Sequence, residues 1–279
     1  TSLMQPDNPI TIVIPVYNRE ATLARTLGSI DAQTVTPAAI VLVDNGSADA
    51  SLSILQQWAS TRSGVTVAAE PRPGACAARN RGLAMVRTPF VMFFDSDDVM
   101  LPRHVEDFTR AITEHPGVDI FGRDILAENA DGSRRRNYFS ARWPMFSHLF
   151  RASLGTARMV ARTELVRRVG GWDEKLLGWD DFELGVRMLL TSPRLYDLGG
   201  KPTVLTYATP GSLTGRSFTA HPERWEPSLE AIRRDMEMAG RPDLLKWTDG
   251  VSMILAAQYA REGSETLAAR LYDAVMART

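Results

Sequence analysis

Cysteine is nearly absent from this chain: Cys76 is the only one in 279 residues. It has no partner for an intramolecular disulfide, and a cysteine-based zinc site is excluded. A reducing compartment is compatible with that scarcity. No apolar run approaches the ~18 residues of a membrane-spanning helix. The opening TSLMQPDNP lacks the basic and apolar regions of a signal peptide. The expectation is a soluble, cytoplasmic protein without a transmembrane segment, for which peripheral attachment at the inner face of a membrane stays open. Net charge is missing too. The 32 Lys and Arg nearly balance the 33 Asp and Glu, leaving −1. That removes any global electrostatic case for nucleic acid or an anionic surface. The run Arg134-Arg135-Arg136 is the local exception, read as a solvated loop in preference to a phosphate or lipid-headgroup patch.

What is present is ordinary for a globular protein: 44% apolar and 23% charged residues. The length suits one large domain or two small ones, and no internal repeat is visible. ITIVIPV (10–16) is continuous and β-branched, as in a strand covered on both faces. A helical segment follows with Ala21, Leu23, Leu27 and Ile30 near helical spacing. AAIVLVD then reads as a strand, followed by a helix that Ser47 or Asp49 could cap. GVTVAAE is a third strand, RPGACAARNRGLAMVRT a Gly-initiated helix, and PFVMFF a fourth strand. Alternation of this kind predicts an α/β fold with a mainly parallel, Rossmann-like central sheet and helices on both faces. After Pro102 come a helix, strands around an Asp-Gly turn, a strand with a short helix, an amphipathic helix over WDDFELGVRMLL, and one or two further strands. From Pro222 the chain reads as an all-helical extension, with breaks at Gly240 and Gly263.

Ligands of parallel sheets sit at the carboxyl ends of the strands. Asp44, Glu70 and the cluster Asp95, Asp97, Asp98 all fall there. In FVMFFDSDDVMLP, three carboxylates occupy four positions. Two like charges ~4 Å apart cost about 1 kcal/mol in water and more in a partly buried cleft. Three arrangements relieve this: capping of a helix near Pro102, pairing with Arg79 or Arg81, or binding of a divalent cation by hard oxygen ligands.

The ordered motifs IVIPVYNREATLARTLGSI, IVLVDNGSADAS, GACAARNRGL, FVMFFDSDD and VGGWDEKLLGWDDFELGVRM resemble the family 2 glycosyltransferases of the GT-A fold, over about residues 10 to 215. The resemblance implies a donor half at 1–101, an acceptor and catalytic-base half at 102–215 of the same domain, and a lid-like loop with helices at 216–279. It implies that Pro15, Tyr17 and Arg19 border the nucleotide, that Asp44 bonds a uracil or ribose edge, and that Glu70 lies near the base or ribose. Arg79 would organise the acidic loop. Asp95 and Asp97 match the family's Asp-x-Asp pair around Ser96. Asp97 would coordinate Mn²⁺ or Mg²⁺, with Asp95 nearer the ribose and Asp98 a second metal contact. Asp181 matches the usual catalytic base and Asp180 its acidic neighbour. The implied reaction is an inverting transfer from a nucleotide-diphospho-sugar, UDP-linked by preference, to a carbohydrate or other hydroxyl-bearing acceptor.

Simpler readings stand beside these. Asp180 and Asp181 favour a helix N-terminus in any case, and Glu183, about 200° further round, faces away. Trp179 and Trp172 flank the base and could stack on sugar or belong to the core. Asp173 serves an acceptor pocket or a turn, and Cys76 packs on a helix. Two positions depart from the family pattern: Asn45 stands where many members have a second acid, and Thr209 where many have a histidine. His221 is a candidate replacement, and Arg216 a candidate phosphate contact in a polar segment over the diphosphate. Two rivals remain: a sugar-nucleotide or glycan binding module without catalysis, and a nucleotidyltransferase. The second would want the glycines that PVYNREAT lacks.

Overall fold

The computed structural model describes residues 8–129, 131–207 and 217–278. Its first half is a run of strand and helix: β1 (Ile10–Val16), α1 (Glu20–Asp31), β2 (Ala39–Asp44), α2 (Ser51–Ser60), β3 (Val65–Ala69), α3 (Ala75–Met85) and β4 (Phe90–Phe93). Then come β5 (Val99–Met100), α4 (His104–Glu114), β6 (Ile120–Gly122), β7 (Ile125–Glu128), β8 (Arg134–Asn137), α5 (Pro144–Arg151), β9 (Met159–Arg162), α6 (Thr163–Arg168) and α7 (Asp180–Leu190). The chain finishes with β10 (Leu195–Asp197), β11 (Val204–Tyr207), α8 (Glu226–Met238), α9 (Leu245–Arg261) and α10 (Glu265–Met276).

Among the described residues, seven strands form the main sheet in the order β10-β6-β9-β4-β1-β2-β3. β1 pairs in parallel with β2 and β4, as crossover helices require. β9 is the exception. It lies between β4 and β6 and runs antiparallel to both. A second sheet, β5-β11-β7-β8, brings the strand after the acidic cluster beside β11.

Alternate residues of β1 serve opposite faces. Ile10, Ile12 and Ile14 join Leu23, Phe94 and Phe108 on one side. Val13 joins Val43, Phe93, Trp172 and Leu184 on the other. On that second side α3 presses close: a Cβ on Gly82 would collide with Cγ1 of Val13. A third cluster, with Phe182, Val186, Trp225, Ile232 and Tyr259, fastens the C-terminal helices to α7.

Several local expectations need correction. Neither Ser47 nor Asp49 is the N-cap of α2; Ala50 is, although Asp49 Oδ1 still accepts from Ser51 N–H at 2.9 Å. Arg134–Asn137 pairs antiparallel with β7 across the Asp-Gly turn, as the strand reading expects and the solvated-loop reading of the arginine run does not; Arg134 and Arg136 are paired with Glu128 and Asp124. α5 has no counterpart in the periodicity reading. The acidic cluster does not cap a helix, because β5 intervenes and α4 starts only at His104. No helix among the described residues is long and apolar enough to cross a membrane.

Candidate active site

The acidic loop leaves β4 and is held by α1 and α3. From α1, Thr22 donates to the carbonyl of Ser96 at 3.4 Å, Arg25 to that of Asp97 at 2.7 Å, and Thr26 to that of Asp98 at 2.8 Å. These residues lie on one helical face, a spacing visible in the sequence that its apolar pattern does not flag. From α3, Arg79 donates to Asp95 at 2.9 Å and to Asp180 at 2.6 Å. Its guanidinium also lies over the Trp172 ring, 4.4 Å from the centroid. Arg79 is buried between its two carboxylates, whose attraction outweighs the burial that would lower its basicity. Besides Arg79 it is Arg19, rather than Arg81, that meets the loop, pairing with Asp97 at 3.8 Å. Asp98 turns inward, where its Oδ1 accepts from Tyr207 N–H at 3.3 Å. Burial first, then Asp95 and Asp97, push its carboxyl well above the usual range. The crowding apparent in the sequence therefore falls mainly on Asp98.

At the end of β2, Asp44 is buried. Its Oδ2 accepts from the N–H groups of Gly46 and Ser47, and its Oδ1 has no hydrogen-bond partner. A buried carboxylate oxygen without a donor is costly and marks a place for one. Asn45 explains its own departure from the family pattern. Its amide donates to the carbonyls of Glu70 and Arg72 and accepts from Gly74 N–H, a clip that an aspartate could not make in full. Glu70 is buried beneath Arg72, which donates to both its oxygens. Those bonds hold the carboxyl below its ordinary range. Tyr17 is exposed beside this edge, and Pro15 belongs to β1.

The base candidates open α7. Asp180 is anchored by Arg79 and receives the Cys76 thiol at 3.2 Å. Burial, and then the charge of Asp180, push that thiol up, so Cys76 is a packed neutral group. Asp181 points elsewhere: its Oδ2 accepts from the N–H and hydroxyl of Thr156, at 3.3 and 3.5 Å. Burial first, then Asp180, raise its carboxyl above the ordinary range, against Arg79 and Arg158. Thr156 gives no signal in the sequence, because the fold alone brings it to α7. Trp179 caps α7 in the left-handed region, φ 51°, and packs among Phe182, Phe218 and Trp225. Asp173 caps its own turn through Lys175 N–H and lines a cleft of about 440 Å³ with Glu183, Arg187 and Asp235. Glu183 does face away from Asp181, buried against Arg187. His221 pairs with Glu223 at 2.9 Å. Thr209 and Arg216 lie outside the described residues.

The profile described as "Glycosyl transferase family 2" matches residues 11–168, more than half of the chain. The chain belongs to glycosyl transferase family 2. Glycosyltransferase GlyA of Streptococcus pneumoniae is 37% identical over 112 residues, covering 40% of this family 2 chain but only 16% of its own length. Among solved structures, S. aureus TarS 1-349 in complex with UDP-GlcNAc superposes with a TM-score of 0.70 at 19% identity, over 90% of this chain and 72% of that one. The mannosyltransferase PcManGT of Pyrobaculum calidifontis, in complex with GDP-Man and Mn²⁺, gives 0.58 at 19% identity, over 96% and 79%. These likenesses make the fold GT-A.

The family implies a divalent ion at the acidic loop, and the donor set there fits one. The oxygens are hard carboxylate ligands, and the repulsion borne by Asp98 is what a cation relieves. Among the described residues, no three His, Cys, Asp or Glu side chains gather to hold an ion unaided. Mg²⁺ and Mn²⁺ commonly take one or two carboxylates together with substrate phosphates.

Proposed function

We propose that this chain transfers a sugar from a nucleotide-diphospho-sugar, UDP-linked, to an acceptor hydroxyl, with inversion at the anomeric carbon. The observation that carries this reading is the Arg79 bridge, which joins an acid of the donor loop, Asp95, to the first residue of the base helix, Asp180. On this reading donor and acceptor chemistry meet at that bridge.

Asp44 supports the nucleotide assignment, since its unpartnered Oδ1 suits the N–H of a uracil ring. Asp97 and Asp95, with Asp98 behind them, would hold the divalent ion. When bound, that ion supplies Lewis-acid stabilisation of the charge on the departing diphosphate. Asp181 acts as general base: it accepts the acceptor's hydroxyl proton while that oxygen attacks the anomeric carbon opposite the leaving group. A carboxyl raised by burial is better matched to this task near neutral pH than an exposed one. Asp180 does not compete for the role, because Arg79 occupies it. The TarS complex with UDP-GlcNAc and the PcManGT complex with Mn²⁺ are consistent with a nucleotide-sugar donor and a divalent ion on this fold.

A thermal-shift screen of nucleoside diphosphates and their sugars, each with and without Mn²⁺ or Mg²⁺, tests the donor class. The expected result is a shift selective for uridine compounds and dependent on metal. Shifts independent of metal, or none with any nucleotide, would overturn the proposal.

A further inference from the structure

One face of α5 and α9 is apolar, exposed and rimmed by cations. Phe146 and Phe150 share a side of α5 at helical spacing, and Trp143 precedes the helix as its N-cap. Trp143 is 69% exposed and Phe146 48%. The stripe crosses to α9: Phe146 meets Phe150 at 4.8 Å and Trp247 edge-on at 5.6 Å. Phe150 lies 3.4 Å from where a Cβ on Gly250 would stand, and Ile254, one turn further, is 57% exposed. The other side of α5 is buried through His148 and Leu149. Trp143 also adopts φ 52°, a region that bulky residues rarely occupy. Its ring stays outside and meets no other ring among the described residues.

Charge around this stripe is one-sided. From Gly132 to Thr163 the chain contains no Asp or Glu. Arg142 and Arg151 flank α5, exposed and without an ion-pair partner among the described residues; Lys246, beside Trp247, is exposed too and lies near Asp243. The balanced net charge of the whole chain hides this local excess.

We propose that the α5–α9 face docks on a lipid bilayer carrying anionic phospholipid headgroups. Aromatic rings settle at the boundary between headgroups and acyl chains. Basic side chains beside them meet the phosphates of an anionic leaflet. A second copy of this chain is a poor occupant, because two-fold pairing would bring two faces of the same positive sign together. The docked helix is fastened to the base helix: His148 Nε2 hydrogen-bonds the Phe182 carbonyl at 2.8 Å. Docking would therefore hold the Asp181 side of the cleft close to the membrane.

Co-sedimentation of the full chain with vesicles of phosphatidylcholine, with and without phosphatidylglycerol, tests this apart from any catalytic reading. The expected result is binding that requires phosphatidylglycerol and weakens with salt. It should fall about tenfold in Trp143→Ser/Ile254→Ser and again in Arg142→Glu/Arg151→Glu, with melting temperatures unchanged because these side chains are exposed. Absence of binding to phosphatidylglycerol vesicles, binding that neither variant alters, or a solution dimer abolished by Phe146→Ser would each overturn the proposal.

Discussion

Asp95 and Asp180 are fastened to opposite arms of a single guanidinium, that of Arg79, at 2.9 and 2.6 Å. The acidic loop and the helix bearing Asp181 cannot move apart without breaking one of these pairs.

Replacing Arg79 should therefore cost both stability and alignment. Arg79→Ala leaves two carboxylates unpaired and is expected to destabilise by about 3 kcal/mol, at the lower end for a broken buried pair because Asp95 is partly open to water. Arg79→Lys keeps the charge but cannot span both acids. It should retain more stability and still lose roughly 10²-fold in turnover through misplacement. Urea melts beside steady-state kinetics separate the two effects, and an active Arg79→Ala enzyme would refute the bridge's importance.

Asp181→Asn keeps the shape of the helix start and removes the proton acceptor. The expected outcome is a fall in kcat of about 10² to 10⁴-fold with donor affinity unchanged. Isothermal titration with UDP alongside the rate measurement distinguishes this from loss of binding. A binding module without catalysis would show no turnover to lose.

Asp44→Asn presents an amide where a base N–H is expected. The loss of a hydrogen bond to a charged group, about 1.5–3 kcal/mol, predicts roughly 10- to 100-fold weaker UDP binding. Unaltered affinity would show that Asp44 Oδ1 does not meet the nucleotide.

Acid should destabilise the fold through two buried histidines. Burial holds His104 down to about 3 and His148 to about 4, against about 6.5 in the unfolded chain. The unfolded state then takes up protons that the native state refuses. Stability from each is fully present above pH ~6.5 and lost as pH falls towards the folded value, by about 1.4 kcal/mol per pH unit. Glu183, raised to about 7 by burial, acts oppositely: its cost to stability shrinks on acidification. The clean readout is therefore a difference. Wild-type stability minus that of His148→Gln should shrink by about 1.4 kcal/mol per unit between pH ~6.5 and ~4.5, and a flat difference would contradict a neutral buried His148.

Legibility in the sequence followed burial. β1 and β2 declare themselves as continuous buried apolar runs, and α7 because its apolar residues point inward at helical spacing. α5 does not, since Trp143 and Phe146 point outward and a proline opens it. The direction of β9 was equally hidden, because a four-residue strand reads the same whichever way its neighbours run. At the site, the acids at the strand ends were visible one by one, as was the match of Asp181 to a family base. The bridge from Arg79 to Asp180, the Thr156 contact and the Asn45 clip join distant positions that only the fold brings together.

The antiparallel β9 also dictates an order of assembly. β4 and β6 have no bond to each other in the native sheet and meet only through β9, whose residues follow both in the chain. On a ribosome, β4 emerges with one hydrogen-bonding edge bare until Met159–Arg162 arrives to close it. During that interval the bare edge is a template for pairing with another chain.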